Sequence, residues 1–247
     1  MKTHLAVVIL AAGHGKRLGG KSQKVLRKIL GKPIILYLLG TIEKISPDRV
    51  VVIVGYKKEE VFEQLEGRKV QYAEQKVLRG TGDAVMQAKS TLKNYKGDVL
   101  ILCGDIPFIT SDTLGSLFSV HKAGKNCGTI LTAFLSNPSG YGRIKRNGDG
   151  NVHSIVEELN ATQKERAIKE VNTGIYVFNK RKLFHALDRV LPDKVKKEYY
   201  LTDVISILSS EGEKIGTYTT EKSDECMGIN NLDDIEKAKQ FLKKKEK

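Results

Sequence analysis

Leu5-Ala6-Val7-Val8-Ile9-Leu10-Ala11-Ala12-Gly13-His14-Gly15-Lys16-Arg17-Leu18-Gly19-Gly20 runs from an apolar, β-branched segment straight into a glycine-rich turn carrying cations. Residues 5–10 read as a buried strand, because a short continuous apolar run bounded by glycine suits a parallel sheet covered on both faces. Ligands of open α/β sheets gather outside the carboxyl ends of the strands. Glycines at such a place let backbone N–H groups approach phosphate oxygens closely. Arg17, and Lys24 beyond it, add cationic donors at positions a triphosphate can reach. The spacing is neither the GxGxxG of dinucleotide sites nor that of a P-loop. A basic surface turn without a ligand is the competing reading, so other parts of the chain must decide.

Outward from this turn, residues 50–54, 70–73 and 99–103 repeat the buried-strand pattern, while 33–45, 59–65 and 81–92 show helical spacing. Thr81 reads as the N-cap of the last of these helices. The alternation predicts an α/β fold with a doubly wound, mostly parallel, Rossmann-like sheet and right-handed crossovers. After about Lys125 the pattern changes to short strand candidates at 128–134, 142–145, 152–157 and 171–179, with a hairpin turn at Asn147-Gly148-Asp149-Gly150. Helices resume near 181–190 and 201–209. A final one at 232–242 has acids at its start and lysines at its end, matching the helix dipole. Expected organisation is one domain over residues 1–230, divided at about 125 into a nucleotide-binding half and a mixed, sugar-binding half (126–230), followed by a C-terminal helix and basic tail over 231–247.

The 247 residues are 40% hydrophobic and 29% charged, ordinary for a globular protein with a sizeable core. The first apolar run is too short to span a bilayer and lacks a signal-peptide pattern, so a cytoplasmic protein without membrane partners is expected. Cys103, Cys127 and Cys226 are far apart and form no CxxC pair, which argues against disulfides or zinc and for a reducing compartment. The formal net charge of +13 comes with lysines spread along the chain and clustered only at the C-terminus. It reads as a solvated surface; no nucleic-acid-binding motif accompanies it, and no nucleic-acid partner is expected.

A second chemical signal is Cys103-Gly104-Asp105-Ile106-Pro107, an aspartate at the carboxyl end of a buried strand, where it can hold Mg2+ against phosphates or simply cap a turn. A third is Gly80-Thr81-Gly82-Asp83-Ala84, opening a helix whose N-terminal amides can meet a nucleotide. Weaker polar sets follow at Gly140-Tyr141-Gly142-Arg143-Ile144, Ile155-Val156-Glu157, Glu170-Val171-Asn172-Thr173-Gly174 and Glu198-Tyr199-Tyr200-Leu201-Thr202-Asp203.

Taken in order, LAAGHGKRL, the lysine of QKVL, AEQ followed by GTGDA, CGDIP, GYGRI, IVE, EVNTGIY, EYYLTD and GINN resemble the sugar-phosphate nucleotidyltransferase superfamily, from about Leu5 to Asn231. Within it the chain is similar to the uridylyltransferase half of the bifunctional enzymes that make UDP-N-acetylglucosamine. This sequence shows no hexapeptide repeat of an acetyltransferase half, so nucleotidyl transfer alone is implied. The resemblance implies the nucleotide-diphospho-sugar transferase fold, a nucleoside triphosphate and a sugar 1-phosphate as partners, and Mg2+ as cofactor. It places base and ribose on Leu10, Ala11, Ala12, Gly13 and Gly15. It gives the leaving pyrophosphate to Arg17, the α-phosphate and sugar phosphate to Lys24, the nucleobase to Gly80 and Thr81, and the ribose and metal to Cys103, Gly104 and Asp105. Asp105 and Asn230 become the metal ligands, and Gly142, Glu157, Asn172, Tyr200 and Thr202 line the sugar pocket.

Three departures mark this chain. Lys16 stands where the family usually has threonine, and Gln23 where it has proline. The glutamine that reads uracil aligns with Tyr72, with Gln75 as the neighbouring alternative, and Lys76-Val77-Leu78-Arg79 lengthens the connection before GTG. These bear on the base more than on the transfer. UTP with N-acetylglucosamine 1-phosphate is the expected pair. A cytidylyl-, thymidylyl- or guanylyltransferase, and a non-catalytic module keeping the fold, are the alternatives. His14 reads as a solvent-facing bystander. No general base is required, since the attacking phosphate is mostly ionised near neutral pH with a second pKa of about 6.

Overall fold

Alternate side chains of β1 (Leu5–Leu10) enter opposite layers, Ala6 and Val8 one core, Val7 and Ile9 the other, and all four are fully buried. The structure is a computed structural model and describes residues 4–15, 23–194 and 196–245. After β1 come a short hairpin, β2 (Lys28–Ile29) and β3 (Lys32–Pro33), then α1 (Ile34–Lys44), β4 (Arg49–Val54), α2 (Lys58–Gln64) and β5 (Gln71–Glu74). Next are α3 (Thr81–Met86), α4 (Ala88–Thr91), β6 (Asp98–Cys103), α5 (Ser111–Ala123), β7 (Gly128–Phe134), β8 (Gly142–Arg146) and β9 (Val152–Val156). The chain closes with α6 (Gln163–Arg166), β10 (Glu170–Asn179), α7 (Lys180–Leu187), α8 (Asp203–Ser210), β11 (Ile215–Thr220) and α9 (Leu232–Lys245).

The main sheet runs β11-β7-β10-β6-β1-β4-β5, with β8 and β9 attached through β10. Strands β5, β4, β1 and β6 are parallel neighbours, and β10 is antiparallel to both β6 and β7. The chain therefore winds outward from β1 to β5 and returns to the other side of β1 at β6. That reversal opens a crevice between the carboxyl ends of β1 and β6. α1, α2 and α5 pack on one face, and α3, α4, α7 and α8 on the other. A third, smaller core joins α9 to the β2–β3 hairpin through Ile29, Ile34, Phe108, Ile229, Ile235 and Ala238. The doubly wound, mostly parallel α/β fold with a mixed second half is the expected one.

Two local expectations are corrected. Helical spacing over 81–92 resolves into α3 and α4, broken at Gln87. Thr81 is not the cap: Gly80 holds the N-cap position at φ +102° without a side-chain cap, and Thr81 Oγ1 accepts the amide of Leu201 at 3.0 Å. The reason is tertiary. The segment before α8 lies across the helix start, with the Gly82 amide donating to Tyr199 O at 2.8 Å and the Tyr199 amide to Arg79 O at 2.7 Å. A Cβ on Gly80 would stand 2.5 Å from Tyr199 O, so only glycine permits that approach.

Candidate active site

Lys24 opens a 3-10 turn beneath the loop that follows β1, and its ammonium is shared between two distant segments. Nζ forms an ion pair with Asp105 Oδ2, just past β6, and donates to Asn230 Oδ1 at 2.8 Å. Asp105 in turn accepts the Ile229 amide on its backbone oxygen at 2.9 Å, so the turns carrying the acid and the asparagine are tied together. Asp234 Oδ2 accepts the amides of Asn230 and Asn231, while Asn231 Oδ1 accepts that of Asp234, a reciprocal cap that fixes Asn230 at the start of α9. Gly15, at φ +60°, lies so close that a Cβ would sit 2.9 Å from Lys24 Cβ; a side chain there would push the lysine out of place. Arg17 lies outside the described residues, as does Lys16.

Gln23 sets the approach to Lys24. Its fully buried amide donates from Nε2 to Ala11 O at 2.9 Å and Tyr56 O at 2.7 Å, stapling the loop after β1 to the loop after β4. His14 stacks, tilted, on Tyr56 with ring centroids 4.3 Å apart.

On the opposite side of Leu10, a cleft of about 250 Å3 is lined by Leu10, Ala12, Gly13, Gln75, Gly80, Thr81 and Tyr200, with Leu78, Ala84 and Glu198. It brings the turn after β1 against the start of α3. Gln75 Nε2 donates to Gly80 O at 3.0 Å and to Asp83 Oδ2 at 2.8 Å, which fixes the side chain within the wall. Tyr72 is elsewhere. Lying on β5 three residues before Gln75, and so of opposite parity, it faces the opposite helical layer and packs edge-on against Phe62, ring centroids 4.6 Å apart. The expectation that Tyr72 contacts the base is corrected on this ground: the strand pleat turns it away from the cleft. Ala11 is buried in that same opposite core and touches the site through its carbonyl and the chain it positions.

Gly104 donates to Leu10 O at 2.9 Å, closing the crevice floor. The Cys103 thiol contacts Gly174 O at 4.0 Å, where β10 carries an irregularity between Asn172 and Tyr176. Burial, then the charge of Asp105, pushes this thiol up to about 12, so it is a protonated neighbour rather than a nucleophile. Asn172 pairs in register with Gly142 and donates to the Tyr176 hydroxyl at 2.7 Å. Glu157 accepts the Thr202 hydroxyl at 2.9 Å. Asn172 and Glu157 are linked through Tyr176, whose hydroxyl feels burial first and the Glu157 charge next, both raising its pKa. Burial first, then the charges of Asp193, Glu198, Glu157 and Asp203, push the Tyr200 hydroxyl up to about 12.

Gln23, Tyr176, Tyr141 and Asp234 have no individual role in the motifs of the sequence. Tyr141 is half-buried, and burial first, then the charges of Cys226, Asp234 and Asp105, raise the pKa of its hydroxyl. Its signal was its place inside GYGRI. Asp234 could only be read as a dipole-matching acid, because its partners are backbone amides.

Among the described residues no cluster of His, Cys, Asp or Glu side chains holds a metal unaided. Mg2+ does not require one, since it is held by one or two carboxylates together with substrate phosphates and water. Asp105 and Asn230 are hard oxygen donors converging on one point, and the cation already there is the Lys24 ammonium. This donor set fits Mg2+.

A nucleotidyl transferase family model matches residues 6–245. The chain belongs to the nucleotidyl transferase family. It is 45% identical over 239 residues to the bifunctional protein GlmU of Acetivibrio thermocellus, covering 97% of this chain and 52% of that protein. It is 46% identical over 237 residues to GlmU of Caldicellulosiruptor saccharolyticus, covering 96% and 51%. The chain thus spans about half the length of the curated relatives it matches. In fold it is similar to a crystal structure of UDP-glucose pyrophosphorylase complexed with UDP-glucose, with a TM-score of 0.75 at 17% identity over 97% of this chain and 98% of that one. An apo form superposes with a TM-score of 0.78 at 18% identity, over 98% and 99%. Among the described residues no helix of this nucleotidyl transferase is long and apolar enough to cross a membrane.

Proposed function

We propose that the chain transfers a uridylyl group from UTP to N-acetylglucosamine 1-phosphate, giving UDP-N-acetylglucosamine and pyrophosphate in the cytoplasm. The observation that carries the proposal is the convergence of Lys24, Asp105 and Asn230 at the mouth of the β1/β6 crevice, from positions up to 206 residues apart. Two polyanions must meet there, and positioning with charge neutralisation is what a protein supplies to phosphoryl chemistry. A phosphate oxygen of the sugar 1-phosphate attacks the α-phosphorus in line. The bond from that phosphorus to the α–β bridging oxygen breaks, and the electron pair leaves with pyrophosphate. Lys24 neutralises the α-phosphate and the incoming phosphate, and Arg17 the leaving group. Asp105 and Asn230 would hold Mg2+, which when bound offsets the phosphate charge. Residues 1–125 carry the nucleotide and 126–230 the sugar in this reading, with 231–247 as a C-terminal helix and basic tail.

In this reading the base is uracil. Gln75 spends Nε2 on Gly80 and Asp83, which leaves Oε1 as an acceptor suited to the N3–H of uracil. Gly142, Glu157, Asn172, Tyr200 and Thr202 would then surround the sugar. The test is a panel of UTP, CTP, dTTP, GTP and ATP, each with N-acetylglucosamine 1-phosphate and glucose 1-phosphate, read as Mg2+-dependent pyrophosphate release. Preference for UTP with the N-acetylated sugar is the expected result. Equal turnover of CTP or GTP would reassign the base, and no release with any pair would leave a binding module.

A further inference from the structure

A cleft of about 650 Å3, more than twice the volume of the one at Leu10 and Gln75, lies at the far end of β6 from Asp105. Gly97, just before β6, is in its wall, so the strand, about 20 Å long at ~3.3 Å per residue, separates it from the Lys24 cluster. It opens between the end of α4 and the start of α7. Lys89, Lys93, Lys96, Lys180, Arg181 and His185 line it, over a floor of buried Tyr95 and Phe184. Its one acid, Asp188, is taken by Lys89, whose Nζ reaches both carboxylate oxygens at 2.6 and 2.7 Å. Lys180 is also committed, donating to the carbonyls of Leu92 and Lys93 at 3.1 Å each. No acid among the described residues pairs with Lys93, Lys96 or Arg181.

Three consecutive bases, Lys180, Arg181 and Lys182, open α7, and its first turn carries no acid. Cations there oppose the helix dipole, and although Asn179 Oδ1 caps the helix by accepting the Lys182 amide at 3.2 Å, an anion would still complement the dipole. The uncommitted cations therefore face the place where a helix favours negative charge. Concavity selects the kind of anion. A cavity of this size encloses a small molecule, whereas a duplex or a bilayer needs an extended face.

We propose that this α4/α7 cleft binds a small phosphate-bearing molecule at a site separate from the substrates. The test is a titration of the isotopically labelled chain with inorganic pyrophosphate at constant ionic strength, followed through backbone amide resonances. Saturable shifts are expected at residues 93–97 and 179–185, in addition to any at 104–105. In the double variant Lys93→Gln/Arg181→Gln, affinity at the cleft should fall by about tenfold or more, as loss of charge-assisted contacts predicts. Nucleotidyl transfer and the melting temperature should be unchanged. Shifts confined to 104–105, shifts that chloride reproduces, or equal affinity in the variant would overturn the site. Sedimentation with phosphatidylserine vesicles, lost in the variant while pyrophosphate gives no saturable shift, would reassign the patch to a membrane surface and overturn it equally.

Discussion

Lys24 carries the heaviest load of any single side chain, because its ammonium is the point at which Asp105 and Asn230 meet. Lys24→Ala should lower kcat/KM by roughly 10²-fold or more, as for loss of one preorganised donor to developing charge. The fold should persist by circular dichroism, and near-native turnover would remove Lys24 from the chemistry. Gln23 acts one residue away and by other means. Gln23→Leu keeps the volume but strips donors from two backbone carbonyls, at about 1–3 kcal/mol for each left unsatisfied. A lower melting temperature together with a lower kcat is expected; an unchanged KM for the sugar phosphate would show that the damage stays at the loop. The cations, Asp105 and Asn230 were legible as residue types placed after strands or in a matching motif. Gln23 was visible only as an oddity where proline is usual, because its partners lie 12 and 33 residues away. Tyr72 matches the motif by position, but the pleat of β5 turns its ring away from the cleft to Phe62, which residue type alone does not reveal.

At the scale of elements, the strands with continuous apolar runs and the helices with strong stripes were readable, and those lacking either were not. β11 (Ile-Gly-Thr-Tyr-Thr-Thr) has little apolar signal of its own and is a strand because β7, over 80 residues earlier, offers its edge. α5 was not legible because its packed face mixes Leu114, Leu117 and Phe118 with the polar Thr113 and His121, while its cap at Thr110 is an ordinary threonine. The start of α3 shows the same dependence on distant chain. Gly80→Ala would force a Cβ to 2.5 Å from Tyr199 O at a φ that L residues avoid. A loss of about 1–3 kcal/mol is expected, with a raised KM for the nucleotide, since the GTG turn lines the base cleft. A titration also belongs at this scale. Asp203, at the start of α8, is pushed up to about 6 by burial, then by Glu157 and Asp193. Its folded value lies above the ordinary carboxylate value of 3.8, so the folded chain binds the extra proton between about pH 6 and pH 4. The cost of its charge is therefore complete above pH 6 and relieved as pH falls through that window. Asp203→Asn should raise the melting temperature at pH 7.5, and the gain should fade towards pH 4. A gain independent of pH would point to packing instead.

Over the whole molecule, the site exists only because the end of the chain returns to its beginning. The doubly wound sheet could be inferred from alternating patterns, but not that α9 would lie on the β2–β3 hairpin beside Lys24. Its apolar face announces a partner without naming one. Ile235 and Ala238 supply that face against Ile29, Ile34 and Phe108, while Asp234, one residue before Ile235, holds the Asn230 amide at 2.7 Å. Packing at Ile235 is thus mechanically upstream of the Asn230 side chain, and the two functions can be separated by measurement. Ile235→Ala removes buried methyl groups at a cost of about 2 kcal/mol, and the α9 start should detach more readily than the central sheet. The Mg2+ concentration for half-maximal pyrophosphate release should rise several-fold, while kcat at saturating Mg2+ stays near native. Ile235→Val should restore most of the affinity. If the variant melts earlier yet keeps native Mg2+ dependence, α9 stabilises the fold without holding Asn230 in place, and the coupling between the C-terminal helix and the active site is disproved.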